Sequence, residues 1–138
     1  MKVCVTGSLG FVGRHFVMRL REDHEVHGCD NMSAGKPPRE WIEESQGFKN
    51  LFYGDLRNYV VVQDPDEFDL IIHCAAVVGG RLKIDGDPLA VATDLAIDSD
   101  FFNWIARGRR KKKIVYFSSS AVYPVALQSR ATHCDLAE

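Results

Sequence analysis

No apolar run in this sequence approaches the roughly 20 residues that a membrane-spanning helix needs, so a helical membrane protein is not expected. Charge of one sign is not in surplus either. Seventeen Lys and Arg stand against nineteen Asp and Glu, a formal net charge of -2. No global field therefore points to nucleic acid or to an anionic membrane surface. Cysteine is sparse. Cys4, Cys29, Cys74 and Cys134 show neither CxxC nor metal-ligand spacing, and the first three sit in apolar runs. They read as buried reduced thiols, not as zinc ligands or a disulfide framework. His15, His24, His27, His73 and His133 form no HxxxH or HExxH pattern, so no metal is assigned. The amino terminus lacks a basic-then-apolar leader, and a cytoplasmic location is expected. What is present is 46% hydrophobic and 26% charged residues over 138 positions, the profile of one folded domain.

The hydrophobic period switches repeatedly between strand and helix. Lys2–Thr6 reads as a buried strand. From Gly10 to about Glu22 the residues Phe11, Val12, Phe16, Val17 and Leu20 recur at helical spacing. Glu25–Asp30 is a second strand, followed by a turn-rich stretch from Asn31 to Pro38. A short helix is expected over Arg39–Ser45 and a strand over Phe48–Tyr53, whereas Asn58–Gln63 is weakly defined. Phe68–Cys74 is a continuous apolar strand, as in a parallel sheet covered on both faces. Asp87-Pro88 supplies a capping carboxylate and a first-turn proline for a helix reaching about Arg107, and Ile114–Phe117 is a fifth strand. This alternation predicts right-handed βαβ crossovers: an α/β, Rossmann-type doubly wound parallel sheet of about five strands. The basic run from Arg107 to Lys113 reads as a solvated helix end and turn. Nucleic-acid binding through it is the weaker alternative.

The strongest chemical signal is Thr6-Gly7-Ser8-Leu9-Gly10-Phe11-Val12-Gly13, which ends a predicted strand and opens a predicted helix. In that context Gly7 permits a tight turn, Gly10 lets backbone approach a pyrophosphate, and Gly13 lets the helix pack closely. Amides at the helix start would bind phosphates. Asp30 ends the second strand 17 positions after Gly13. A carboxylate there accepts from ribose hydroxyls and repels a 2′-phosphate, favouring NAD. Lys36 and Arg39 are near enough in sequence to leave NADP open, and a plain turn role for Asp30 is the bland alternative.

TGSLGFVG resembles the TGxxGFxG signature of the extended short-chain dehydrogenase/reductases, the nucleotide-sugar epimerase/dehydratase group. Asp30-Asn31-Met32-Ser33 is similar to that group's ribose-binding stretch. Gly54-Asp55-Leu56-Arg57 is similar to the segment whose acidic residue contacts adenine. His73-Cys74-Ala75-Ala76 is similar to a turn beneath the cofactor, and Phe117–Pro124 to the segment carrying the catalytic serine or threonine. The resemblance implies cofactor contacts at Gly7, Leu9, Gly10, Phe11, Val12, Gly13, Asp30, Asn31 and Ser33. It adds Asp55, Leu56, Cys74, Ala75, Ala76, Val78 and Ser118. Counting four residues back from Tyr123 gives Ser119 as the hydroxyl that orients the sugar, with Ser120 as its neighbour candidate. Ala75–Gly80 and Ile97-Asp98-Ser99 resemble the NADP-using GDP-fucose synthase branch, whereas Asp30-Asn31 resembles NAD-using sugar epimerases.

Two departures stand out. Asp94 and Asp100 occupy helix positions where the group has asparagine. No Tyr-x-x-x-Lys pair, the group's catalytic base, occurs in the sequence. The expectation is that residues 1–138 are an incomplete nucleotide-binding domain whose carboxyl-terminal substrate region lies beyond them. The parent enzyme would act on a nucleotide sugar, as a homodimer when full-length, with no nucleic-acid or membrane partner, and this chain alone would be inactive. A sheet ending at its fifth strand would also favour self-association. The alternative is a non-catalytic dinucleotide-binding or regulatory module.

Overall fold

Five short strands hydrogen-bond in parallel in the order β3-β2-β1-β4-β5. They are β1 (Lys2–Thr6), β2 (Glu25–Asp30), β3 (Asn50–Tyr53), β4 (Leu70–His73) and β5 (Lys113–Tyr116). Among the described residues three α-helices accompany them: α1 (Phe11–Leu20), α2 (Leu56–Val62) and α3 (Pro88–Arg107). The computed structural model describes residues 1–37, 40, 48–77 and 86–118. The helix expected over Arg39–Ser45 falls, Glu40 apart, outside these residues, as do Val78, Ser119 and Ser120.

Alternation along the buried strands divides the core in two. Val3 and Val5 of β1 join Val26, Ile72 and Val17 of α1 on one face. Cys4 joins Cys29, Ile71, Phe68, Tyr59, Phe101 and Trp104 on the other, under α2 and α3. This is a doubly wound α/β sandwich with the expected strand count. β1 and β2 have the expected bounds, whereas β3 and β4 are shorter than the stretches Phe48–Tyr53 and Phe68–Cys74 expected for them; Phe68 packs in the core before β4 begins.

The weakly defined stretch after Gly54 is in fact helical. Asp55 caps α2 by accepting from the Arg57 amide, and Leu56, Tyr59 and Val60 bury one face. The carboxyl end of α2 is held from α3. Trp104 Nε1 donates to the Gln63 carbonyl (2.7 Å) and Arg107 to the Val60 carbonyl (2.8 Å). Asp87 caps α3 by accepting from the Ala90 amide.

The basic run is not merely solvated. The Asp66 carboxylate accepts from the backbone amides of Arg109 and Arg110 and from Lys112 Nζ. Arg110 also pairs with Asp69 (3.0 Å). Two carboxylates thus tie the run down as the lead into β5, and the Lys112 side chain is buried. Among the described residues β5 pairs only with β4, and no helix is long and apolar enough to cross a membrane.

Candidate functional site

Strand order reverses beside β1, because β2 and β4 flank it while their connections run to opposite sides. Open α/β sheets form a crevice at such a switch point, outside the carboxyl ends of the strands. A cleft of about 410 Å³ lies there. The turn after β1 and the start of α1 supply Gly7, Gly10, Phe11, Val12 and Gly13. The end of β2 and its loop supply Asp30, Asn31 and Ser33, and the residues after β3 supply Asp55 and Leu56. Cys74, Ala75 and Ala76 after β4 form the floor.

The turn after β1 is built by close approach. Gly7 has φ +64°, and a Cβ on it would lie 2.5 Å from the Cys74 carbonyl oxygen. A Cβ on Gly13 would lie 2.1 Å from the Gly7 carbonyl oxygen, so α1 can begin where it does only with glycine there. Gly10 occupies the N-cap of α1 without any side-chain cap, and the first turn contains no acidic residue. The positive end of α1 thus points into the cleft with no side-chain cap and no acidic residue of its own first turn.

Asp30 faces this helix end. It is buried, its Oδ2 accepts from the Leu9 amide (2.8 Å) and its Oδ1 from the Met32 amide (2.6 Å). Each carboxylate oxygen keeps a lone pair for a further donor. Leu9 itself does not line the cleft: its side chain is buried and its amide is taken by Asp30. Met32 sits at φ 59°, a conformation uncommon outside glycine. There the Asp30 bond and the Asn31-to-Ser33 side-chain turn hold the loop. Asp55 is gripped by Arg57 through two side-chain bonds, of 2.9 and 2.7 Å. The Arg57 side chain, with help from its amide, holds the Asp55 carboxyl below the usual range.

The Cys74 thiol, half-buried in the floor, is pushed up to about 11 by burial. Asp94 does not enter the cleft lining: its Oδ1 accepts from the Val77 amide at 2.7 Å, tying α3 to the floor. The aspartate that replaces an asparagine therefore needs only to accept. Thr93 and Ile97, one helical turn apart on α3, do line the cleft. The sequence reading missed them, although their i, i+4 spacing beside Asp94 was the available signal. Ser118 is exposed just past β5, outside the lining. Among the described residues no cluster of His, Cys, Asp or Glu is arranged to hold a metal ion.

Residues 3–136 match the family described as NAD dependent epimerase/dehydratase. The chain belongs to that family. Among curated relatives, UDP-glucuronate 4-epimerase 6 of Arabidopsis thaliana is 30% identical over 133 residues, covering 89% of this chain but 28% of the relative. Two solved structures share the fold. UDP-glucose 4-epimerase from Bifidobacterium longum, in complex with NAD⁺ and UDP, superposes with TM-score 0.74 at 25% identity, over 89% of this chain and 38% of that one. UDP-N-acetylglucosamine 4-epimerase from Methanobrevibacter ruminantium M1 superposes with TM-score 0.71 at 28% identity, over 88% and 39%. This epimerase/dehydratase chain thus spans well under half the length of these relatives.

Proposed function

We propose that this chain is the NAD-binding part of an enzyme that epimerises, dehydrates or reduces a nucleotide-linked sugar. The observation that carries the reading is the pairing, across one cleft, of an uncapped glycine helix start with a buried acceptor at the end of β2. The residues fit a dinucleotide. Amides at the start of α1 would take the pyrophosphate, and glycine at positions 7 and 13 lets the turn pack on the Cys74 backbone and α1 pack on the turn, which sets those amides at the cleft. Asp30 would accept from the adenosine ribose, disfavouring a 2′-phosphate. Asn31, Ser33, Asp55 and Leu56 would flank the adenosine, and Cys74–Ala76 would lie beneath the cofactor. When bound, the cofactor supplies hydride exchange with a ring carbon, and the protein supplies orientation and electrostatics. Ser119, with Ser120 beside it, would hydrogen-bond the sugar oxygen being oxidised or reduced. A full-length homodimer in the cytoplasm completes the proposal.

Calorimetric titration with NAD⁺ and NADP⁺ tests it. NAD⁺ should bind and NADP⁺ should bind at least tenfold more weakly. Asp30→Ala should weaken NAD⁺ by about 10- to 100-fold, the worth of hydrogen bonds to a charged acceptor. Failure of both dinucleotides to bind, or equal affinity for the two, overturns the reading. A non-catalytic dinucleotide-binding module is the second reading, since the geometry of the cleft bears on dinucleotide binding alone. Steady turnover of a nucleotide sugar by this chain would eliminate it.

A further inference from the structure

Thr6, His73 and Tyr116 are the last residues of β1, β4 and β5, and the parallel register places them side by side across three adjacent strands. All three present their side chains to the α3 face of the sheet, where Asp98 meets them. Thr6 Oγ1 lies 2.7 Å from His73 Nδ1, and His73 Nε2 lies 3.1 Å from Asp98 Oδ1. Tyr116 Oη donates to Asp98 Oδ2 at 2.5 Å. The His73 ring is stacked on Phe101, centroids 3.9 Å apart at 17°, and lies within 10° of parallel to the Tyr116 ring. Both His73 and Thr6 are buried.

With the ring neutral, the donors and acceptors fix one tautomer. A carboxylate only accepts, so the proton at the Asp98 end sits on Nε2 of His73. In the neutral ring Nδ1 then accepts, and the Thr6 hydroxyl donates to it. That leaves the lone pairs of Thr6 Oγ1 free for the Ala75 amide, which donates to it at 3.3 Å. Ala75 belongs to the cleft floor.

We infer that Tyr116, Asp98, His73 and Thr6 are positioning residues that hold the cleft floor: Asp98 fixes the neutral His73 ring as its Nε2–H tautomer, and the ring orients the Thr6 hydroxyl that anchors Ala75. The inference rests on the dinucleotide reading only in that the floor is where the cofactor would lie. Burial pulls the His73 ring below its ordinary value of 6.5, against the opposing pull of Asp98 and Asp94. Those two carboxylates of α3 and the Tyr116 phenol of β5 are the titratable groups facing it, and β1 contributes only the Thr6 hydroxyl. A proton on Nδ1 would turn the Thr6 hydroxyl from donor into acceptor, so that its oxygen would take the ring as well as the Ala75 amide.

Long-range ¹H–¹⁵N correlation of the imidazoles, with amide exchange at Ala75 and NAD⁺ titration, tests this on the full chain. At pH 7 His73 should be the neutral Nε2–H tautomer, and Asp98→Asn should move its titration to lower pH by removing the charge that favours imidazolium. Thr6→Val should speed Ala75 exchange and weaken NAD⁺ by about tenfold each, the loss of one hydrogen bond, and Thr6→Ser should restore both. An Nδ1–H tautomer in the unmodified chain, or Ala75 exchange indifferent to Thr6→Val, overturns the inference. A chain that binds no NAD⁺ yet shows this tautomer and this exchange response overturns the cofactor reading instead and leaves the positioning chain standing.

Discussion

At single residues, two positions separate steric need from chemical need. Gly13 has no room for a methyl, since the Gly7 carbonyl oxygen lies 2.1 Å from where it would sit. Gly13→Ala should therefore push α1 off the turn after β1, costing about 3 kcal/mol, the upper part of the range for overpacking. Thermal denaturation should show the loss, and any residual fold should have lost dinucleotide affinity. Asp94 makes the opposite case. Its visible task is to accept from the Val77 amide, which an amide oxygen also does. Asp94→Asn should change stability by less than about 1 kcal/mol, whereas Asp94→Ala, which leaves that amide without its acceptor, should cost about 1–3 kcal/mol. Equal losses in the two variants would mean that the charge, not the acceptor, matters there. Replacement of asparagine by aspartate at position 94 is thus compatible with the same architecture, a point the sequence alone left open because it named the residue but not its partner.

At the level of elements, what the sequence disclosed and what it hid follow from physics. The strands β1 and β4 were legible because strands covered on both faces must be nearly all apolar. Helix α3 was legible because Asp87-Pro88 is a strong start signal and Phe101 and Trp104 recur at helical spacing. Helix α2 was not. Its Val60-Val61-Val62 run is β-branched, which lowers helix propensity, and Val61 and Val62 are exposed, which blurs the apolar stripe. What decides for helix is tertiary: the Asp55 cap and the clamp that Trp104 and Arg107 place on its last carbonyls. The cleft was legible from the glycines and Asp30, whose chemistry is local, but Thr93 and Ile97 enter it only through the docking of α3. If the clamp is the cause, Trp104→Phe, which keeps a large ring and removes the donor, should cost about 1 kcal/mol. Trp104→Ala, which empties a fully buried site, should cost about 3–5 kcal/mol. In both, amide exchange should rise first in α2, and uniform loosening of the sheet would contradict the assignment.

For the molecule as a whole, the pH dependence of stability should fall into two separable stages. His73 has a folded value below 6.5 because burial disfavours its charged form. Between that lowered value and 6.5 the unfolded chain binds more protons than the folded one, so stability rises with pH there. The His73 contribution is complete above about pH 6.5 and is lost as pH falls through the folded value. The second stage belongs to carboxylates held low by partners. Asp66 is drawn down to about 2, chiefly by the Lys112 side chain and then by the Arg109 amide, and Asp55 and Asp69 are lowered as well. For these groups the sign works through the other form: their contribution is present above the unfolded carboxylate range and disappears as pH falls through the folded values. Melting temperatures measured from pH 8 to pH 3 should decline first below about 6.5 and again below about 4. His73→Gln, which keeps a donor towards Asp98 but cannot take up a proton, should flatten the first decline and leave the second. An unmodified chain whose stability is level down to pH 4 would show that His73 is not the buried neutral group on which the floor of the cleft depends.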